Sequence, residues 1–308
     1  MAKQQRILTG QVAAITGGAR GIGRATAQAF LREGMKVAIG DLDLVTAQKT
    51  ARELGHGTIA LQLNVTERAS VKAFVDAVEQ QLGPVDVMVN NAGIMQVGHS
   101  VWEEDDATTL RMIDINVNGV MYGVKEVVPR MLARGRGHVV NIASTAGKGG
   151  FPGGATYCGT KHYVVGLSEA LRAELRGTGI EVSCVMPVVV KTELASGLVQ
   201  TRGVKQVRPE DVADEIVAAL QEARFDVFVP RSVAAITKVM NLLPRGGREA
   251  LSRALKADQV LAHVDGDKRA AYELRATRSD PALEAGRSEP ALEPVLEPAD
   301  PESEQLAS

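Results

Sequence analysis

The chain has 308 residues, 45% of them hydrophobic and 23% charged, a balance that excludes a wholly disordered or fibrous protein. Aromatics make up only 3%, so a core has to be built from Val, Ile, Leu, Ala and Met. With 35 basic against 37 acidic side chains the net charge is −2, without the basic surplus of a nucleic-acid binder.

Up to about Phe228, short apolar runs alternate with helical patterns. Val12 to Thr16 reads as a strand, and Gly21 to Gly34 as a helix with Ile22, Ala25, Thr26, Ala29 and Phe30 near a 3.6 period. Strand Val37 to Ile39, helix Leu44 to Leu54, strand Ile59 to Leu63 and helix Val71 to Leu82 follow. After strand Val85 to Val89 a long helix is expected over Asp106 to Ala133. Strand His138 to Ile142, helix Thr156 to Arg176, strand Glu181 to Val185, helix Pro209 to Gln221 and strand Phe225 to Phe228 complete the series. The strand runs are continuous and β-branched, as in strands buried on both faces of a parallel sheet. Their alternation with helices predicts an α/β fold, a doubly wound Rossmann-type sheet in a domain over residues 1–230.

Beyond Pro230 the pattern changes. Two helical stretches, Val233 to Leu243 and Gly247 to Leu255, predict a helical extension over 231–278. From Ser279 the sequence is dominated by Pro and Glu, and 279–308 is expected to be disordered because it has too little apolar surface to offset its ordering entropy. Cys158 and Cys184 lack CxxC spacing. Met1 to Thr9 has no apolar run of signal-peptide length. Soluble, cytoplasmic residence is therefore expected. The five histidines show no metal-ligand spacing, and no metal is expected. Trp102 is expected to pack, with the edge of the substrate cleft as the alternative place for it.

Thr16-Gly17-Gly18-Ala19-Arg20-Gly21-Ile22-Gly23 joins the first strand to the first helix. A diphosphate needs backbone amides close to its oxygens and a helix N-terminus aimed at its charge, and glycines permit that approach. Asp41 follows the second strand, near the spacing of the carboxylate that binds the adenosine ribose. Such a carboxylate favours NAD over NADP by repelling a 2′-phosphate. Arg20 argues mildly the other way, as a cation able to hold that phosphate.

Tyr157 and Lys161 are four apart, on one face of a helix. A nearby ammonium lowers the pKa of a phenol, otherwise about 10. Alone, that pair is weak. Ser144 stands 13 positions before Tyr157, Asn90-Asn91-Ala92-Gly93 follows the fourth strand, and Asn116 lies inside the long helix.

On these motifs the chain resembles the classical short-chain dehydrogenase/reductase family over about Gly10 to Pro230. The resemblance implies an NAD(P)-dependent oxidoreductase acting on an alcohol or carbonyl substrate. Tyr157 would be the general acid/base, Lys161 would depress its pKa and hold the nicotinamide ribose, Ser144 would bond the substrate oxygen, and Asn116 would support a water relay to Lys161. Gly17, Arg20, Gly21, Ile22, Gly23 and Asp41 would hold the diphosphate and ribose. Asn64 and Val65 would meet the adenine, with Asn64 replacing the Asp common there and keeping an acceptor for the adenine amino group. Asn91, Ala92 and Gly93 would line the adenosine side. Pro187 to Thr192 would close over the nicotinamide, although Val188 stands where the family often has Gly. The resemblance also implies a homo-oligomer, a dimer or tetramer.

Ile94, Met95, Val97, Phe151, Val188 to Val190, Leu194 and Leu198 suggest a bulky apolar substrate, with few charges nearby to grip a sugar or phosphate. The apolar and basic stretch Ile236 to Leu255 could cap the pocket, join copies, or touch a membrane surface. A competing reading is a non-catalytic NAD(H)-sensing protein on the same fold. Retention of Asn116, Ser144, Tyr157 and Lys161 together argues against it. A dehydratase or epimerase would need further acid or base groups near Ser144.

Overall fold

A computed structural model describes residues 5–198 and 205–278. The tail expected to be disordered from Ser279 lies outside them. Strand β1 (Val12–Thr16) is buried throughout, with Val12 and Ala14 entering one apolar cluster and Ala13 and Ile15 the other. That alternation is the period of two of a strand between two helical layers. Helix α1 (Gly21–Arg32), β2 (Lys36–Asp41), α2 (Leu44–Leu54), β3 (Ile59–Gln62), α3 (Arg68–Leu82) and β4 (Val85–Asn90) follow. Next come α4 (Asp106–Ile113), α5 (Gly119–Arg134), β5 (Gly137–Ile142), α6 (Ala155–Glu174), β6 (Ile180–Pro187), α7 (Pro209–Glu222) and β7 (Asp226–Val229).

The strands form one parallel sheet in the order β3-β2-β1-β4-β5-β6-β7. Helices α1, α2 and α7 pack together on one face, and α3 to α6 cover the other. The order reverses between β1 and β4. Their neighbouring connections leave in opposite directions, and a crevice opens at the carboxyl ends of the strands.

Three departures from expectation have physical reasons. The helix expected over Asp106 to Ala133 is interrupted by a π turn, Asp114–Asn118, which the 3.6 period does not reveal. Asn116 sits in that turn with its amide turned inward. Trp102 is 82% exposed, in a turn ahead of the Asp105 cap of α4, and does not pack. The third concerns the C-terminal region. Helices α8 (Val233–Leu242) and α9 (Arg245–Ala254) match the two expected stretches, but α10 (Gly266–Arg278) follows unannounced. Its anchor is Arg269, 1% exposed, a residue type that pattern reading assigns to solvent.

Candidate active site

The crevice is a cavity of about 1060 Å³, running from the glycine loop to the C-terminal helices. At its cofactor end, Gly17 adopts φ +63°, and a Cβ there would stand 2.9 Å from the Ala92 Cα. A Cβ on Gly23 would run into the Gly17 carbonyl. The loop is therefore packed against the β4 connection and fits only glycine. Asn91 holds it there, donating from Nδ2 to the Thr16 and Gly17 carbonyls at 2.9 Å each. Thr16 Oγ1 accepts from Asn91 N–H and Ala92 N–H, both at 3.0 Å. The N-terminus of α1 has neither a side-chain cap nor an acidic residue in its first turn. Its free amides suit an anion such as a dinucleotide diphosphate.

Asp41, Asn64, Val65, Ala92, Gly93, Pro187 and Thr192 also line the cavity, as do Arg20, Gly21 and Ile22; Gly23 does not reach it. Thr192 closes on the loop: a Cβ on Gly21 would lie 3.3 Å from its methyl. The Asp41 carboxyl accepts from Ala19 N–H and Asp43 N–H, both at 3.1 Å. Burial raises its pKa above the usual carboxylate value against those bonds and the Arg20 charge. Arg20 is held by its neighbours at the start of the next helix. Its guanidinium donates to Asp43 Oδ2 and Thr46 Oγ1, both at 2.8 Å. Against its desolvation, bonds from Thr46 and Arg20 bring Asp43 down to about 2.

Asn64 lines the cavity with its side chain bonded to its own turn. Its Oδ1 already accepts from Thr66 N–H at 3.1 Å and Thr66 O–H at 2.8 Å, so both lone pairs are engaged in a turn leading to α3.

Ser144, Tyr157 and Lys161 meet on the cavity wall. Ser144 follows β5; its Oγ accepts from Ala146 N–H at 3.1 Å and donates to the Pro187 carbonyl at 3.4 Å. Tyr157 and Lys161 share one face of α6. The Lys161 ammonium donates to the Ile142 carbonyl at 3.0 Å and lies 5.7 Å from the Tyr157 ring centroid. Burial pulls Lys161 down to about 8. Burial also pushes the Tyr157 phenol up to about 12, while its bond with Ser144 pulls the other way. The expected depression by Lys161 does not act on the phenol in the protein alone, where desolvation dominates and only the bond with Ser144 opposes it.

Asn116 is fully buried behind the wall and does not line the cavity. Its Oδ1 accepts from Ile94 N–H at 2.9 Å, and Nδ2 donates to the Ile94 carbonyl at 2.8 Å and Thr160 Oγ1 at 3.2 Å. It fixes the β4 connection against α6. A Cβ on Gly93 would stand 3.1 Å from Asn116 Oδ1 and 3.7 Å from Lys161 Nζ, so Gly93 lies between the two. Cys158 is a buried thiol, pushed up by burial, as a packing residue should be.

Sequence reasoning misses two supports. Asn90 and Asn141 stand opposite each other in β4 and β5; Asn90 Nδ2 donates to Asn141 Oδ1 at 2.8 Å, and Asn141 donates to Ser168 of α6 at 3.0 Å. A polar amide at or next to the end of each strand, Asn90 last in β4 and Asn141 last but one in β5, was the available signal. The other is α10, which roofs the far end of the cavity with Tyr272, Arg275 and Ala276.

The short chain dehydrogenase family pattern matches residues 11–203. The chain belongs to the short-chain dehydrogenases. Sorbitol dehydrogenase from Cereibacter sphaeroides is 39% identical over 192 residues, 62% of this chain and 75% of that one. The 17-beta-hydroxysteroid dehydrogenase 13 of Mus musculus is 32% identical over 234 residues, 74% of this chain and 76% of that one. A crystal structure of a short-chain dehydrogenase/reductase from Burkholderia phymatum in complex with NAD superposes with a TM-score of 0.71 at 29% identity, covering 77% of this chain and 94% of that chain. In this short-chain dehydrogenase the matched region ends ahead of α7, so β7 and the roofing helices lie outside it.

Proposed function

We propose that this short-chain dehydrogenase interconverts a bulky apolar alcohol and its carbonyl, preferring NAD. The observation that carries this reading is the meeting of Ser144, Tyr157 and Lys161 in one cavity with the glycine loop. A dinucleotide would be held by Gly17 to Ile22 and the α1 N-terminus at its diphosphate, by Asp41 at its adenosine ribose, by Lys161 at its other ribose, and by Pro187 to Thr192 beyond. The cofactor supplies hydride exchange at its nicotinamide ring.

The chain's own part is the proton. In reduction, the Tyr157 phenol donates its proton to the carbonyl oxygen while Ser144 Oγ donates a hydrogen bond to the same atom. A phenol near 12 is fully protonated for that role. In oxidation, the Tyr157 phenolate takes the hydroxyl proton, and positive charge at Lys161 favours the phenolate. Asn116 acts at one remove, by holding Ile94 and Thr160.

Asp41 bears on cofactor choice. Its carboxyl lines the cavity and Arg20 is engaged by Asp43, so a 2′-phosphate would meet an anion without a free cation. We expect kcat/KM with NAD to exceed that with NADP by at least about tenfold, the equivalent of about 1.4 kcal/mol. Equal performance with NADP would refute the preference.

The substrate end is lined by Ile94, Met95, Phe151, Val189, Leu194 and Leu261. Val97 is core instead. Lys148 also lines the cavity and is paired with Glu169 at 2.9 Å, while Arg248, Arg253 and Arg275 bring charge to the wall from the C-terminal helices. Each added methylene of a straight-chain secondary alcohol should raise kcat/KM about fourfold, from about 0.8 kcal/mol per buried methylene, until the cavity is full. NADH absorbance with such a series tests the reading. A flat series, or preference for a polyol, would overturn it.

A further inference from the structure

Helices α8 and α9 stand at the mouth of the cavity, beyond the sheet. Helix α8 turns Val233 inward, 7% exposed, while Ile236 and Met240 edge the cavity. Its other side is an uncovered apolar stripe. Ala235, Val239 and Leu242 recur at helical spacing, with Val239 54% and Leu242 86% exposed. Ile236, 40% exposed, widens the stripe toward the cavity mouth.

Charge around the stripe is one-sided. Between Asp226 and Glu249 the sequence has no acidic residue, and it has Arg231, Lys238, Arg245 and Arg248. Arg231 pairs with Glu215 and Arg245 with Glu249. Among the described residues, Lys238 and Arg248 have no ion pair. This concentration of cations belongs to a chain whose net charge is −2.

We propose that α8, with the start of α9, is a docking surface for an anionic lipid membrane. An apolar stripe flanked by cations is what an interfacial helix presents: the stripe enters the acyl boundary and the cations meet lipid phosphates and carboxylates. Two copies of this chain would cover the stripe less well. A two-fold contact sets each patch against itself, so Lys238 and Arg248 would face cations, and the acid at the start of α9, Glu249, is already paired with Arg245. An anionic lipid surface supplies the missing charge. The stripe also runs up to the cavity mouth at Ile236 and Met240. If the substrate is apolar, as proposed above, it would pass from lipid to cavity without crossing bulk water; docking itself does not depend on that reading.

The test is co-sedimentation of the full chain with phosphatidylcholine vesicles with and without phosphatidylserine, in the absence of substrate. Binding is expected to the anionic vesicles and to weaken as salt is raised. V239D/L242D should abolish it. K238E should weaken it more than fivefold, since one cation near the surface accounts for about fivefold. None of these three residues lines the cavity, so activity on a water-soluble alcohol should stay within twofold, roughly the range of a neutral surface change. Equal binding to neutral vesicles, no binding to either, or unchanged binding by V239D/L242D would overturn the proposal. So would a dimer, seen by light scattering, that V239D/L242D dissociates while vesicles are ignored; the stripe would then join copies. Because no substrate is present, failure of the apolar-substrate reading would leave this outcome untouched.

Discussion

Replacing Tyr157 with Phe is expected to lower kcat by at least about 10²-fold and to leave NAD affinity and melting temperature nearly unchanged. The ring is 8% exposed and packed in the larger apolar cluster, so Phe fills the same space. What is lost is one hydroxyl and its bond with Ser144. Ser144 keeps its contacts to Ala146 and Pro187, so the wall should not collapse. The glycine loop is held from Asn91 and Thr16, independently of Tyr157. The effect should therefore fall on proton transfer alone. Single-turnover absorbance at saturating NADH isolates it from product release, and cofactor titration by fluorescence supplies the control. Turnover within threefold of the parent would remove Tyr157 from the proton path and leave the cavity without an evident acid. A parallel loss of NAD binding would mean that the phenol acts on the cofactor instead.

The sheet was readable from sequence because strands buried on both faces leave continuous apolar runs, as in Val12 to Ile15 and Val87 to Val89. The glycine loop and the Asn90 to Gly93 segment were readable because each is contiguous and follows a strand end. Directions of polar side chains were not. Asn64, Arg20 and Asn91 each line the cavity where a cofactor contact was expected, and each also bonds nearby protein groups: Thr66 and Glu67, Asp43 and Thr46 through Nη2, and the Thr16 and Gly17 carbonyls through Nδ2. Spacing places a residue beside a site; it does not say which partner wins its hydrogen bonds. The π turn at Asp114–Asn118 hid for a related reason, since apolar residues continue at near-helical intervals on both sides. Helix α10 left the weakest trace. Leu274 is 54% exposed, and the helix is fastened by Arg269 and by Tyr272 rather than by an apolar stripe.

That fastening gives the second large effect. Arg269→Ala should release α10 from the substrate end and raise KM for an apolar alcohol by at least about tenfold, with NAD affinity unchanged. The guanidinium is a four-way clamp. Nη2 donates to the Met95 carbonyl at 2.6 Å, Nη1 to the Leu194 and Ser196 carbonyls at 3.1 and 3.0 Å, and Nε to Glu273 at 2.8 Å. It also lies 4.8 Å from the Tyr272 ring centroid, and the Tyr272 hydroxyl accepts from Met95 N–H at 2.7 Å. One side chain thus ties together the connection after β4, the segment after β6 and the roof. Truncating it orphans three carbonyls at once, and breaking a buried charged group from its partners typically costs about 3–5 kcal/mol. That is about 10² or more in the balance between docked and released roof. Of the ties that remain, Arg275 to Glu193 at 2.7 Å and Gln96 to Glu273 at 3.0 Å are partly exposed and weaker, which leaves the Met95 N–H bond to Tyr272 as a single buried one. Opening should be local, because the sheet and its helices do not depend on α10. Hydrogen exchange should therefore lose protection over 257–278 while β1, β4 and β5 keep theirs. Arg269→Lys should rescue little, since an ammonium cannot span carbonyls from two segments as the guanidinium fork does. Unchanged KM with full protection of α10 in Arg269→Ala would show that Tyr272, Ala276 and Leu261 hold the roof by apolar contact alone, and that the clamp is dispensable.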